Sequence, residues 1–129
     1  MSTADEITST LDRFAAVWKT NDGATLGGFF ADDGVLINPF GERADGRAAV
    51  GAMYSRYFGG MLRGTSTVTK VASVRSVENQ HAFVDGEQTV YAADGSVVLV
   101  VHLAALMRRD GSAWRFVDAR PYVDATPPR

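Results

Sequence analysis

The chain contains no cysteine, so disulfides, thiolate nucleophiles, zinc–thiolate sites and iron–sulfur clusters are all excluded. It also lacks an excess of basic charge: 13 Lys and Arg stand against 15 Asp and Glu, a formal charge of −2. Phosphate neutralisation along DNA or RNA needs the opposite balance, so nucleic acid is not an expected partner. Long apolar runs are missing as well. The most apolar stretch, residues 97–107, contains His102 and falls well short of the roughly 20 residues a membrane-spanning helix needs. Residues 1–6 are polar and acidic, without the basic and apolar segments of a secretory signal, so the expectation is a soluble cytoplasmic protein with no membrane partner. The two histidines, His81 and His102, share no ligand spacing, and Asp32-Asp33 reads as a turn, so no metal is expected. No GxGxxG fingerprint is present, and no redox cofactor is expected.

What remains is one domain's worth of chain. With 129 residues, 46% of them hydrophobic, there is enough apolar surface to offset the entropy of ordering around a single core. We place that domain at residues 1–124. The tail, residues 125–129, ends Thr126-Pro127-Pro128-Arg129 and is expected to be disordered.

The first part of the chain has helical periodicity. Thr3 and Glu6 have capping-box spacing, and Ile7, Leu11, Phe14 and Trp18 form one apolar stripe, predicting a helix over 4–20. Asn21-Asp22-Gly23 interrupts it, and Asp22 can cap a short second helix carrying Leu26, Phe29 and Phe30. Ala31-Asp32-Asp33-Gly34 reads as a closing turn, followed by a short strand over 35–38 that stops at Pro39. A third helix after Asp45-Gly46 carries Val50, Met53, Tyr54, Tyr57, Phe58 and Met61 on one face. From residue 65 the pattern becomes β-rich, with runs over 65–77, 82–91, 97–108 and 114–123 separated by Asn79-Gln80, Ala93-Asp94-Gly95 and Asp110-Gly111. Three helices before an antiparallel meander predict a segregated α+β fold, the helices packed on one face of a strongly curved antiparallel sheet. A sheet wrapped round helices leaves a cone that can hold a ligand.

The order of these elements, with Phe29-Phe30-Ala31-Asp32-Asp33-Gly34-Val35-Leu36-Ile37-Asn38-Pro39-Phe40-Gly41 and Asp45-Gly46-Arg47-Ala48-Ala49-Val50, resembles the SnoaL-like and ketosteroid-isomerase-like superfamily. That resemblance, which spans roughly residues 7–122, implies the cone-shaped nuclear transport factor 2-like (cystatin-like) fold. More narrowly, the Trp18 to Asp22 spacing, Leu62-Arg63-Gly64-Thr65, Ser73-Val74-Arg75 and Trp114-Arg115-Phe116-Val117 resemble the SgcJ/EcaC group of bacterial secondary-metabolite clusters, enediynes among them. The implied function is a small-molecule-binding protein, or a cofactor-independent isomerase, cyclase or lyase, of polyketide or enediyne-type biosynthesis. Its ligand would be an apolar polycyclic or polyene molecule in the cone. The alternative is a non-catalytic carrier or assembly module of the same fold.

The resemblance also exposes departures. Where ketosteroid isomerases hold their carboxylate base this chain has Asn38, and the positions of their oxyanion donors fall on Phe14 and about Ala105. An amide is no Brønsted base and neither of the other two side chains donates, so steroid isomerisation by that mechanism is not expected. On the last strand the resemblance turns Trp114, Phe116, Asp118, Arg120 and Tyr122 toward the pocket. Asn38, Asp118 and Arg120 are then the candidate polar groups for catalysis, with a salt bridge at the mouth of the cone as the other role for the Asp118/Arg120 pair. Candidate ligand contacts are Phe14, Trp18, Phe40, Tyr54, Tyr57, Phe58, Leu103, Phe116 and Tyr122. Asp85 and Glu87 are acid–base candidates if their face of the strand points inward, and solvated or interface charges if it points outward. His102 shares its face with Val98, Val100, Ala104 and Leu106 and suits a buried hydrogen-bonded or interface role rather than a catalytic one. Apolar residues on both faces of that strand predict a homodimer packed sheet to sheet.

Overall fold

The computed structural model describes residues 2–128. Helix α1 (Thr3–Lys19) starts at a capping box made by Ser2 and Asp5, in which the Ser2 hydroxyl accepts from the Asp5 amide at 3.1 Å. The expected Thr3/Glu6 pair does not form because Glu6 is drawn elsewhere: it accepts from the Arg109 guanidinium and, at 3.1 Å, from the Trp114 indole. The apolar stripe Ile7, Leu11, Phe14 and Trp18 is buried throughout, each side chain contributing about 1.5–3 kcal/mol. Helix α2 (Gly23–Gly27) is capped by Asp22, whose carboxylate accepts from the Thr25 amide at 3.1 Å and its hydroxyl at 2.7 Å.

The chain departs from expectation next. Helix α2 ends before Phe29 and Phe30, and the supposed turn at 31–34 lies inside strand β1 (Phe30–Ile37). The strand bulges there: Phe30 pairs with Phe116 and Val35 with Asp118, so Asp32 and Asp33 loop out to solvent while both ends stay in the sheet. A short strand β2 (Arg43–Asp45), not foreseen, returns antiparallel to β1. Helix α3 (Arg47–Phe58) follows Gly46, whose φ of 91° suits glycine. Met61 lies past the end of α3 and is exposed, not on its buried face.

The remaining strands are β3 (Ser66–Val77), β4 (His81–Tyr91), β5 (Val97–Asp110) and β6 (Ala113–Ala119), an antiparallel meander. Asn79 and Gln80 both have positive φ, 59° and 63°, within the three-residue connection that joins the paired residues Val77 and His81. The full sheet has six strands in the order β2-β1-β6-β5-β4-β3, and β1 runs parallel to β6, so the sheet is mixed rather than wholly antiparallel. Helices cover one face, as expected for the α+β class. No helix among the described residues is long and apolar enough to cross a membrane. Residues 125–128 are exposed and carry no helix or strand; Arg129, the last residue of the expected tail, lies outside the described residues.

The Glu6 contacts tie α1 to the β5–β6 hairpin and make stability pH-dependent. The Trp114 indole, then Arg109, hold the Glu6 carboxyl below its ordinary value of 4.5. Its contribution is therefore present above that value and is lost as the pH falls through the lower, folded-state pKa. Acid unfolding followed by circular dichroism should show a midpoint shift in Glu6→Gln, with less loss of stability on acidification than in the parent.

Candidate functional site

Residue alternation in the sheet decides what faces the helices. On β5 the odd-numbered residues Val101, Leu103, Ala105 and Met107 are buried, and on β4 the even-numbered Ala82, Val84, Gln88 and Val90. Asp85 and Glu87 are on the opposite face, exposed, which resolves the open alternative in favour of outward charges. On β6 a one-residue bulge changes the outcome. Met107 pairs with Phe116 but Leu106 pairs with Asp118, leaving Val117 unpaired and shifting the alternation by one. Trp114 and Phe116 face inward as expected, whereas Ala119 takes the next inward position.

Asp118, Arg120 and Tyr122 consequently lie on the outer face, a correction to the expected pocket placement. Arg120 donates to both Asp118 carboxylate oxygens, at 2.8 and 3.0 Å, as an exposed surface pair. Tyr122 is 51% exposed and stacks on His102 with ring centroids 4.9 Å apart. His102 in turn contacts the Asp124 carboxylate at 2.8 Å.

The cone holds two adjoining cavities, an outer and an inner lobe, that share part of their walls. The outer lobe has about 560 Å³ of empty space counted out to its mouth, and is bordered by Trp18, Asn38, Phe40, Tyr54 and Tyr57 among the expected residues. The inner lobe, about 330 Å³ on the same measure, is bordered by Phe14, Tyr54, Leu103 and Phe116. Phe58 borders neither; it packs behind, 5.3 Å from Trp18 and 6.2 Å from Tyr54 between ring centroids. The Trp18 indole N–H is committed to the Thr65 hydroxyl at 3.0 Å, so Trp18 offers the cavity a ring surface rather than a donor.

Asn38 borders the cavity, but its amide is engaged by its own loop. Oδ1 accepts from the amides of Phe40 and Glu42, both at 3.0 Å, while Nδ2 donates toward Glu42 at 3.2 Å and the Tyr57 oxygen at 3.3 Å. This is Asn serving the turn beside Pro39, the alternative to ligand polarisation. Asn38→Ala should therefore destabilise the fold by about 1–3 kcal/mol in urea titration, since two loop amides lose their acceptor. Glu42, which no pattern in the sequence singled out, accepts from the Tyr57 hydroxyl and from Arg56 without itself bordering either lobe. The Tyr57 hydrogen bond, ahead of Asn38 and Arg56, holds its carboxyl below the ordinary value.

Three polar side chains face the cavity uncommitted: Gln88, Tyr54 and, on the inner lobe, Thr69. Gln88 is only 9% exposed and Tyr54 sits in the aromatic cluster, yet neither side chain hydrogen-bonds to any described residue. Both border both lobes, so they stand at the junction. Neither group is sealed off, the one fully enclosed side-chain polar atom without a partner among the described residues being Nε of Arg109, so both can meet a ligand that enters the cavity. Burial pushes the Tyr54 phenol well above its ordinary value, so it stays protonated and able to donate. The sequence held one signal for Gln88: it is the only amide on the otherwise apolar face Ala82, Val84, Gly86, Val90. The residues bordering either lobe include no Asp, Glu, His, Lys or Arg. No group of residues fit to hold a metal ion occurs among the described residues.

The comparisons with known proteins agree with this architecture. A domain with a cystatin-like fold from Nostoc punctiforme superposes with a TM-score of 0.83 at 19% identity, over 98% of this chain and 81% of that one. A candidate scytalone dehydratase from Novosphingobium aromaticivorans gives 0.78 at 16% identity, over 92% and 81%. The protein Aln2 from a Streptomyces species gives 0.78 at 17% identity, over 95% and 89%. At these identities the likeness carries the fold alone. No functionally curated protein matches the sequence. The family model described as "SnoaL-like domain" matches residues 11–117, the span from mid-α1 to the bulge of β6, and the chain belongs to the SnoaL-like domain family.

Proposed function

We propose that this protein binds a neutral, compact, largely apolar small molecule in the cone. The observation that carries the proposal is the cavity itself, bordered by apolar and aromatic side chains without a charged group. Because Phe14, Trp18, Phe58 and Phe116 are buried and packed on one another, the aromatic cluster fills much of the cone. This favours a ligand of one or two rings over the extended polycycle or polyene expected from resemblance. A place in bacterial secondary metabolism of polyketide or enediyne type is supported by the finer SgcJ/EcaC likeness of the Leu62-Arg63-Gly64-Thr65 and Trp114-Arg115-Phe116-Val117 motifs.

The test is a methyl-resolved NMR titration with propylbenzene as a neutral probe. The methyl signals of Leu36, Leu99 and Val101, which border the outer lobe, should move, and Leu99→Trp should abolish the shifts while leaving the fold intact. Shifts confined to surface methyls would overturn the reading. A lyase-type enzyme is the second reading, favoured by the scytalone dehydratase description of one structural neighbour. With no carboxylate or imidazole bordering the cavity, such an enzyme would act through Tyr54, Tyr57 and the amides, without a strong base of its own.

A homodimer belongs to the same proposal. The outer sheet face exposes Val68 (52%) and Val100 (45%) beside the cross-strand row Lys70, Glu87 and His102, where opposite charges sit in register. A second copy offers the same apolar and paired charge pattern about a two-fold axis. Sedimentation equilibrium at micromolar concentration should return a dimer mass, and Val100→Lys a monomer; a monomer mass for the parent would refute it.

A further inference from the structure

The two lobes meet at Tyr54 and Gln88, and we infer that this junction is a carbonyl-binding site that selects ketones with an apolar arm on each side. The inference rests on the small-molecule reading above and specifies the ligand class for the same cavity. Four residues border both lobes: Leu36, Tyr54, Gln88 and Pro121. Leu36 and Pro121 offer no hydrogen bond from their side chains, so among these four the side-chain polar contacts come from Tyr54 and Gln88, with the Thr69 hydroxyl beside Gln88 on the inner lobe. Those two come from different elements, Tyr54 from α3 and Gln88 from β4, on opposite layers of the cone.

Their chemistry is complementary to one ligand atom. A tyrosine hydroxyl with no acceptor among the described residues has its proton free for a ligand oxygen, and the glutamine amide has two N–H donors. A carbonyl oxygen with two lone pairs accepts from both at once. A ligand bearing a charge finds no countercharge here, because no ionised side chain borders either lobe. The outer lobe is the roomier of the two and takes the larger arm, where Trp18 and Met53 offer broad apolar contact, while the inner lobe between Phe14 and Phe116 has room for only a small alkyl arm.

The experiment compares propiophenone, 1-phenyl-1-propanol and propylbenzene, three probes of one shape differing at a single carbon, by the same methyl NMR titration. Propiophenone should bind about tenfold or more tightly than propylbenzene, the worth of one to two hydrogen bonds made in a dry site. Tyr54→Phe and Gln88→Leu should each erase part of that preference, read as the ratio of propiophenone to propylbenzene affinity within each variant. The hydrocarbon is the control for folding in these variants: if a variant loses it too, Gln88→Met and a thermal melt separate collapse of the cavity from loss of a donor. Equal affinity for ketone and hydrocarbon would overturn the carbonyl site and leave the apolar cavity standing. Equal affinity for ketone and alcohol would also overturn it, in favour of a hydroxyl site. Failure of all three probes to move the cavity methyls would remove both this inference and the reading beneath it.

Discussion

Phe14→Ala is expected to lower the unfolding free energy by about 3–5 kcal/mol, the range for truncating a large buried aromatic. Phe14 is 5% exposed and is the hub of the aromatic cluster, with ring centroids 5.9 Å from Trp18, 5.4 Å from Phe29, 6.2 Å from Tyr54 and 5.9 Å from Phe116. Three of these four pairs, those with Phe29, Tyr54 and Phe116, meet edge to face, a geometry that adds to simple area burial. The neighbours are themselves held: Trp18 through Thr65, and Phe116 by the sheet register with Phe30 and Met107. They cannot collapse far into the space, so the cavity term should be near its upper end. For a chain of this length the loss corresponds to roughly 10–20 °C in Tm. Because Phe14 borders the inner lobe, the variant should also admit a longer second arm on the ligand. Thermal and urea melts measure the first effect. A loss below about 1 kcal/mol would mean that Phe14 covers a space able to close, and that the cluster is a ligand surface rather than a core.

That aromatic hub is legible in the sequence because helix periodicity repeats over several turns: Ile7, Leu11, Phe14 and Trp18 can share no other face. The meander is legible for the same reason, with period two sustained along each long run. What stays hidden depends on single residues. One extra residue at Val117 moves Asp118, Arg120 and Tyr122 from the pocket to the outside, and no residue preference announces a bulge there. The aspartates of 31–34 look like a turn by composition, and only pairing of Phe30 and Val35 with β6 reveals one interrupted strand. Strand β2 is too short to show a period. The junction group Gln88 is legible in principle as an amide on an apolar face, but using it requires knowing which face of β4 turns inward. Glu42 has no signal at all, since its contacts with Tyr57, Arg56 and Asn38 come from a loop folding back on α3.

Gly23→Ala should destabilise the protein by about 1–3 kcal/mol or more, although alanine is the better helix former by about 1 kcal/mol. Gly23 opens α2 where that helix crosses α3, and a Cβ placed there would lie 2.3 Å from the Ser55 backbone nitrogen and 2.8 Å from its Cα. Those atoms belong to the middle of a hydrogen-bonded helix and cannot turn aside as a side-chain end would, so α2 and α3 must separate. Gly27 and Gly51 form the rest of the same close crossing, with a Cβ on Gly27 meeting Gly51 at 3.0 Å, which leaves no slack one turn further along. The disturbance has a functional reading too. Ser55 lies between the cavity residues on α3, next to Tyr54 and two positions before Tyr57, so separating the helices should move the Tyr54 hydroxyl from the junction and weaken binding of propiophenone more than of propylbenzene. Gly60→Ala is the matched control: a Cβ there meets nothing within 4 Å, and its stability should stay within about 0.5 kcal/mol of the parent. Urea titration of the two variants side by side decides the matter. A Gly23→Ala protein as stable as the Gly60→Ala control would mean that the α2–α3 contact is looser than this geometry, and that Tyr54 is not held by it.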